Sequence, residues 1–400
     1  MDNAAKNHQS GSANALYTLK TKLRDYAMYI ALAVIFIIFG IFTDGIFLSP
    51  RNLTNLINQT GYIAVMAVAM TLVLIIRQID LSVGYGAGFM GAIAAIFMIR
   101  MGISVWITIP LILLLGIGTG LIQGLIIGKV GVPAFVTTLA FEFIFRGLMS
   151  LVTSESGTIP IDVQAFNAIS NGFVPDIGDI AGLHALSLVV GLIVIVLMVI
   201  SQIRTRKNMM KYNFKVMSAP AFALKLLLMA ALIGTVAVVL ASYRGLSWTI
   251  VVVGIVVIAY NFMMEKTRLG RHIYGVGGNP EAAALAGIDV KKTLLFVFGS
   301  MGMMMALGGL LFASRLQSAS TTAGAGFELD AIASCYIGGV STSGGIGKVT
   351  NTIIGALVIM SLTNGLNLMG VGIAYQYVIK GAIFVLAVAF DVLSRARKDG

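Results

Sequence analysis

The sequence predicts an all-α protein: a polytopic transmembrane helical bundle of about twelve spans (10–12), one of them broken or re-entrant, with both termini cytoplasmic. Three observations predict it. Charged residues make up 11% of the 400-residue chain, less than half the roughly 25% of soluble domains, while 58% of residues are hydrophobic. That leaves too little polar side chain to cover water-soluble domains of this length, and a bilayer needs no such cover. Seven stretches, at 52–76, 81–99, 101–128, 180–203, 245–264, 293–314 and 349–379, contain no Asp, Glu, Lys or Arg. The cations between such stretches are sorted to one side.

A helix needs about 20 apolar residues to cross the hydrocarbon. Spans are therefore expected at 27–47, 56–76, 82–99, 104–128, 133–151, 185–203, 221–241, 246–264, 293–313, 330–347, 351–370 and 376–393. Residues 27–395 then form a single transmembrane domain, between an amino-terminal segment at 1–26 and a tail at 396–400, with no room for a soluble domain. The first apolar stretch lacks a small-residue cleavage site and is too long for a signal-peptide core, so it reads as a retained span.

Lys and Arg are retained on the cytoplasmic side of short loops. The amino-terminal segment (Lys6, Lys20, Lys22, Arg24), the loop after the sixth span (Arg204, Arg206, Lys207, Lys211, Lys215), the loop before the ninth (Lys266, Arg268, Arg271, Lys291, Lys292) and the tail (Arg395, Arg397, Lys398) hold 17 of the 27 cations. The loop at 152–184 holds none and carries Glu155, Asp162, Asp176 and Asp179, which places it outside. The net charge of +11 is therefore mostly a topology signal and not a nucleic-acid surface. Lone Cys335 and the scattered His8, His184 and His272 provide no metal site, and no cofactor is expected.

Glycine is abundant, at 46 residues. Gly116, Gly120, Gly124 and Gly128 recur every four residues, and Gly84 and Gly88 repeat the spacing, so a neighbouring backbone can approach one flat helix face. Gly86-Ala-Gly88-Phe-Met-Gly91 matches the dinucleotide fingerprint but lies inside a span with no preceding strand. Gly344, Gly345, Gly347 and Lys348 suggest a phosphate loop, yet Val349 stands where a magnesium-binding hydroxyl belongs. The chain is not expected to hydrolyse ATP or to be an enzyme.

The most informative polar segment is 265–292. Asn279 is a favoured N-cap, Pro280 suits the first helical position, Glu281 suits the positive end of the dipole and Gly287 can close the helix in the left-handed region. A helix this short is unstable alone. It either lies on the membrane surface or inserts its small-residue face, Ala282 and Ala283, into a partner's groove, with Gly275, Gly277 and Gly278 letting the backbone bend.

Arg268-Leu-Gly-Arg271-His-Ile-Tyr-Gly-Val-Gly-Gly-Asn279-Pro-Glu281-Ala-Ala-Ala-Leu-Ala-Gly287 resembles the cytoplasmic coupling loop of permease subunits of bacterial ABC importers for monosaccharides, the ribose, xylose, arabinose and galactose group. Ile76-Arg-Gln-Ile-Asp80-Leu-Ser-Val-Gly84, Val132-Pro-Ala-Phe-Val-Thr-Thr-Leu139, Phe145-Arg-Gly147 and the stretch from Gly326-Phe-Glu-Leu-Asp330 through Gly338-Gly339 to Thr363-Asn364-Gly-Leu-Asn367 are similar to other segments of that family. The resemblance implies a multi-pass inner-membrane protein that translocates sugars. It also implies a second permease subunit, here a homodimer, a cytoplasmic ATP-binding subunit and a periplasmic or extracellular sugar-binding protein, in a setting of membrane lipids and no nucleic acid. The stretch 204–244 looks like an insertion shared with the multiple-monosaccharide and xylose subgroup.

Other residues keep two readings. Glu142, inside a span, with Arg146 one turn on, is either a structural ion pair or a proton-coupling site. Ser361, Asn364 and Asn367 either line the sugar path or hydrogen-bond between helices. Ser341 and Ser343 among glycines suggest a broken or re-entrant segment facing that path. Arg51, Arg100, Arg244 and Arg315 meet either acids on the binding protein or lipid headgroups. An ion-coupled secondary transporter is the rival function, with Glu142 and Asp330 as its intramembrane carboxylates.

Overall fold

The computed structural model describes residues 28–154, 157–214 and 216–396. The expected amino-terminal segment at 1–26, with its four cations, lies outside the described residues, as do Glu155, Lys215 and residues 397–400 of the tail. The helices are α1 Met28–Phe42, α2 Pro50–Ile75, α3 Val83–Ala95, α4 Val105–Leu125, α5 Ala134–Thr153, α6 Gln164–Asn171, α7 Ala185–Lys211, α8 Ala219–Ala241, α9 Trp248–Lys266, α10 Arg268–Gly278, α11 Pro280–Leu285, α12 Val290–Leu316, α13 Phe327–Ile337, α14 Val349–Leu368 and α15 Ile373–Ala396. Two short antiparallel pairs join β1 Thr158–Pro160 to β4 Ser318–Ser320, and β2 Asp179–Ile180 to β3 Leu183–His184.

Among the described residues, nine helices are long and apolar enough to cross a membrane. They are α2, α3 and α4 with their π-helical extensions to Arg100 and Val130, α5, α7, α8, α9, α12 and α14. Met28–Phe42 and Ile373–Leu386 are shorter apolar helices. All of these fall at expected span positions. Tracing the chain through them gathers Lys129, the carboxy-terminal turns of α7, and α10 with α11 at one end of the bundle, here termed the basic end. The segment at 157–184 and its partner strand β4 lie at the opposite end, and residues 321–326 run from there back toward mid-bundle.

α2 is the central helix. Ser49 caps it through a 3.3 Å bond from the Asn52 N–H, Pro50 occupies its first turn, and every residue from Ile63 to Ile75 is buried. Helices α9, α12, α13 and α14 cover its faces, as the all-round apolar run Ile63–Ile75 requires. The insertion forms the other extreme. α7 and α8 pack chiefly on each other, with Gly191 against Ala237 and Lys225 Nζ donating to Gln202 Oε1 at 2.9 Å. Their remaining faces are largely exposed in the chain by itself, as suits lipid-facing helices.

The predicted glycine stripe is a seam between α4 and α12. A Cβ at Gly116 would collide with the Gly302 carbonyl, one at Gly302 with the Gly116 carbonyl, and one at Gly120 with the Phe298 carbonyl. The seam opens along its length, because at Gly128 the nearest atom to such a Cβ is 3.7 Å away. Gly84 and Gly88 serve the same purpose against a different partner, the non-helical segment around Ala323 and Gly324.

That segment explains the span expected at 330–347. Here the helix is only α13, eleven residues long. Gly324 and Gly326 hold φ of +90° and +82° before it, and Gly339 holds +85° after it, so the chain is broken on both sides. The Phe327 ring lies tilted against Tyr62, their centroids 4.9 Å apart, and Tyr62 lies twelve residues into α2, about 18 Å from its start at 1.5 Å per residue. Cys335, near the other end of α13, donates to the Ala67 carbonyl. α13 is therefore a half-helix whose first turn lies near mid-bundle and which points toward the basic end.

Candidate functional site: the loop at the basic end

The 265–292 segment folds as its caps dictate. Thr267 Oγ1 accepts from the Gly270 N–H at 3.3 Å to start α10. Asn279 Oδ1 accepts from the Ala282 N–H at 3.0 Å to start α11, with Pro280 and Glu281 in its first turn. Gly287, at φ +83°, closes it, and the Gly287 and Ile288 N–H groups return to the Ala284 and Ala283 carbonyls at 2.9 and 3.0 Å. Between Pro280 and Gly287 only Ala283 is buried, and Leu285 is 91% exposed. A six-residue helix cannot hold itself in water. α11 is instead held by its caps and by α10 and α12, with Glu281, Ala282, Ala284 and Leu285 facing outward.

α10 is seated on the end of α2. Ile273, Val276 and Gly277 are buried there, while Arg271 is exposed. Arg77, just past α2, donates from Nε to the Gly277 carbonyl at 2.8 Å and from Nη2 to the Gly278 carbonyl. The loop after α13 completes the junction. Gly345 N donates to the Ile75 carbonyl at 2.8 Å, and the Tyr274 hydroxyl donates to the Gly347 carbonyl at 2.6 Å. Burial, and secondarily the charge of Glu265, raise the Tyr274 hydroxyl above its ordinary pKa, so it remains a donor.

The turn from α2 to α3 is tied by a buried chain. Gln123 Nε2 donates to Ser82 Oγ at 2.9 Å, and Ser82 Oγ and N both donate to Asp80 Oδ1, at 2.6 and 2.9 Å. Burial pushes the Asp80 carboxyl up to about 6 against the lowering effect of these bonds. Because its folded pKa lies above the unfolded one, Asp80 contributes stability below the ordinary aspartate value of 3.8 that is lost as pH rises through about 6. Asp80→Asn keeps the acceptor without the charge. In detergent it is expected to be more stable than the wild type at about pH 8, by on the order of 3 kcal/mol at most, with the difference vanishing below about pH 4. A pH-independent difference in melting temperature would refute this.

The other candidate residues are dispersed. Ser341 is buried and Ser343 exposed in the loop at the basic end, where Ser341 Oγ accepts from the Ser343 N–H at 3.1 Å. Asn364 exchanges bonds of 2.9 and 3.2 Å with Asn52 across to α2, and Asn367 accepts from Gln376 Nε2 at 2.7 Å. Ser361 is buried with its hydroxyl unpartnered. Ser341 and Ser343 thus lie in the loop before α14, while Ser361, Asn364 and Asn367 lie in the second half of α14. Glu142 and Arg146 make no ion pair within 4 Å; Arg146 instead lies over the Tyr85 ring, 5.5 Å from its centroid. Arg51, Arg100, Arg244 and Arg315 all lie at the opposite end, with Arg244 over Phe173 and Tyr243 and Arg315 half-buried.

Sequence reasoning missed two features. Lys380 of α15 grips Asp330 of α13, its Nζ 3.0 Å from both carboxylate oxygens. A lone lysine within the span expected at 376–393 was the available signal. Glu328, on the first turn of α13, is packed against Gly84 and is 8% exposed, with Oε2 unpartnered.

Comparison with known proteins narrows what this architecture serves. A family described as the branched-chain amino acid transport system permease component matches residues 52–388. The chain belongs to that permease family. Its relatives include the xylose transport system permease protein XylH of Haemophilus influenzae, 36% identical over 96% of this chain and 100% of that protein. The Escherichia coli XylH is also 36% identical, over 97% of this chain and 96% of its own length. The ribose import permease protein RbsC of Escherichia coli is 32% identical over 94% of this chain and 96% of its own. No solved structure matches. Like the rest of this family of transport subunits, the permease is a multi-pass membrane protein of the bacterial inner membrane.

Proposed function

We propose that this permease is the membrane-spanning subunit of an ATP-binding cassette importer for monosaccharides, pentoses and hexoses such as xylose, arabinose, galactose and glucose. The family description names amino acid transport, but the relatives named for a substrate over nearly the whole chain transport xylose and ribose. In this reading the basic end faces the cytoplasm, as its Lys and Arg require. Two copies of the chain enclose the sugar path, and the arginines at the opposite end receive a sugar-binding protein. The chain's own residues bear the ATPase contact and carry its movement into the bundle.

The observation that carries the proposal is α11. A capped helix with Leu285 91% exposed, next to Glu281, Ala282 and Ala284, is a projecting knob without a socket among the described residues. Its size and small side chains suit a groove on an ATP-binding subunit. Replacing Glu281 with Lys and Ala282 with Trp is expected to leave membrane insertion intact while the ATP-binding subunit no longer copurifies and xylose uptake falls at least about tenfold. Normal copurification and uptake would refute the contact.

A further inference from the structure

Arg77 is placed for a task that its sequence position does not announce. It is a non-glycine residue at φ +61°, a conformation that side chains avoid unless their surroundings impose it. What imposes it is a three-way junction. The guanidinium holds the Gly277 and Gly278 carbonyls, the last of α10 and the negative end of that helix's dipole. The carbonyl of Ile75, two residues before Arg77, receives the Gly345 N–H at 2.8 Å. Gly344 and Gly345 sit at φ +75° and +70°, and a Cβ on Gly344 would strike the Arg77 side chain. A Cβ on Gly277 would strike the Ile75 carbonyl. The Tyr274 bond to Gly347 closes the ring of contacts.

Three parts of the chain meet there. α10 leads directly into α11, α2 is the central helix, and the 340–348 loop joins α13 to α14. The contact between them is made by directed polar bonds and close approaches of glycine backbones, a geometry suited to passing a displacement of α10 to the other two.

We infer that Arg77 is a positioning residue for transport, the link through which movement of α10–α11 reaches α2 and the α13–α14 loop together. The inference rests on the reading of α11 as the ATPase contact. It is tested in liposomes holding the permease with its ATP-binding subunit and binding protein, by measuring radiolabelled xylose moved per ATP hydrolysed. Arg77→Met is expected to retain copurification of the ATP-binding subunit and ATP hydrolysis while sugar moved per ATP falls about tenfold or more. Arg77→Lys, which keeps the charge but reaches one carbonyl in place of two, is expected to fall between Arg77→Met and the wild type.

An unchanged ratio in Arg77→Met overturns the inference, and so does loss of the ATP-binding subunit, which would make Arg77 part of the docking surface. If Arg77→Met does not accumulate, Arg77→Lys is read by the same ratio. Failure of both to accumulate makes Arg77 a folding residue and also overturns it. The altered Glu281 and Ala282 surface keeps the two readings separate: normal copurification and uptake there refute the ATPase contact, whatever Arg77 does.

Discussion

Lys380→Met, with Asp330 left in place, is expected to destabilise the protein by about 3–5 kcal/mol, because a buried carboxylate loses its counterion. The Lys380 and Asp330 side chains are 20% and 15% exposed, and Nζ sits 3.0 Å from both oxygens. Asp330→Asn alone strands the ammonium instead and is expected to cost a similar amount. The double variant Asp330→Asn with Lys380→Met removes both charges and is expected to recover most of the loss, since a neutral pair needs no counterion. Thermal stability of the detergent-solubilised protein measures all three. A double variant no better than either single variant would show that the pair does not hold α15 to α13. The pairing also bears on mechanism, because a carboxylate held by an internal lysine is poorly placed to bind and release a coupling ion.

Gly116→Leu is expected to have the other large effect. The side chain would have to enter the space occupied by the Gly302 carbonyl, so α4 and α12 would be forced apart along their closest approach. Overpacking a built core costs about 1–3 kcal/mol and occasionally more, and here the obstacle is backbone, which cannot move aside by changing rotamer. A loss of more than about 3 kcal/mol is therefore expected, read as failure to accumulate as a monodisperse protein. Gly118 provides the internal control. It lies on the same helix with nothing within 4 Å of an added Cβ, so Gly118→Leu is expected to change stability by less than about 1 kcal/mol. Equal tolerance at the two positions would dismiss the seam.

Much of this was legible in the residues. Uncharged stretches of spanning length located the apolar helices because lipid does not solvate charge. The four-residue repeat from Gly116 to Gly128 announced close packing, since only glycine lets backbones approach so nearly. The caps of α11 were readable because Asn279, Pro280 and Gly287 act within a few residues of each other. The interior of α13 was less legible. Its composition passes for part of a span, and only the glycines on either side, at positive φ, show that the helix stops.

The sequence by itself determined the class of the protein: a helical membrane bundle with a basic end, a capped projection on that end and a glycine seam. These properties arise from local chemistry and from the solvent each segment can tolerate. Tertiary structure alone decided which partners the polar groups found. Asn364 pairs with Asn52, 312 positions away, Asp330 with Lys380, and Arg77 with carbonyls some 200 positions along the chain. Arg146 lies over Tyr85 and not within ion-pair distance of Glu142, although Glu142 is one turn away on the same helix. The physical reason is that a polar side chain pairs with what the packing brings within its reach, and nearness across a bundle is set by how the helices pack.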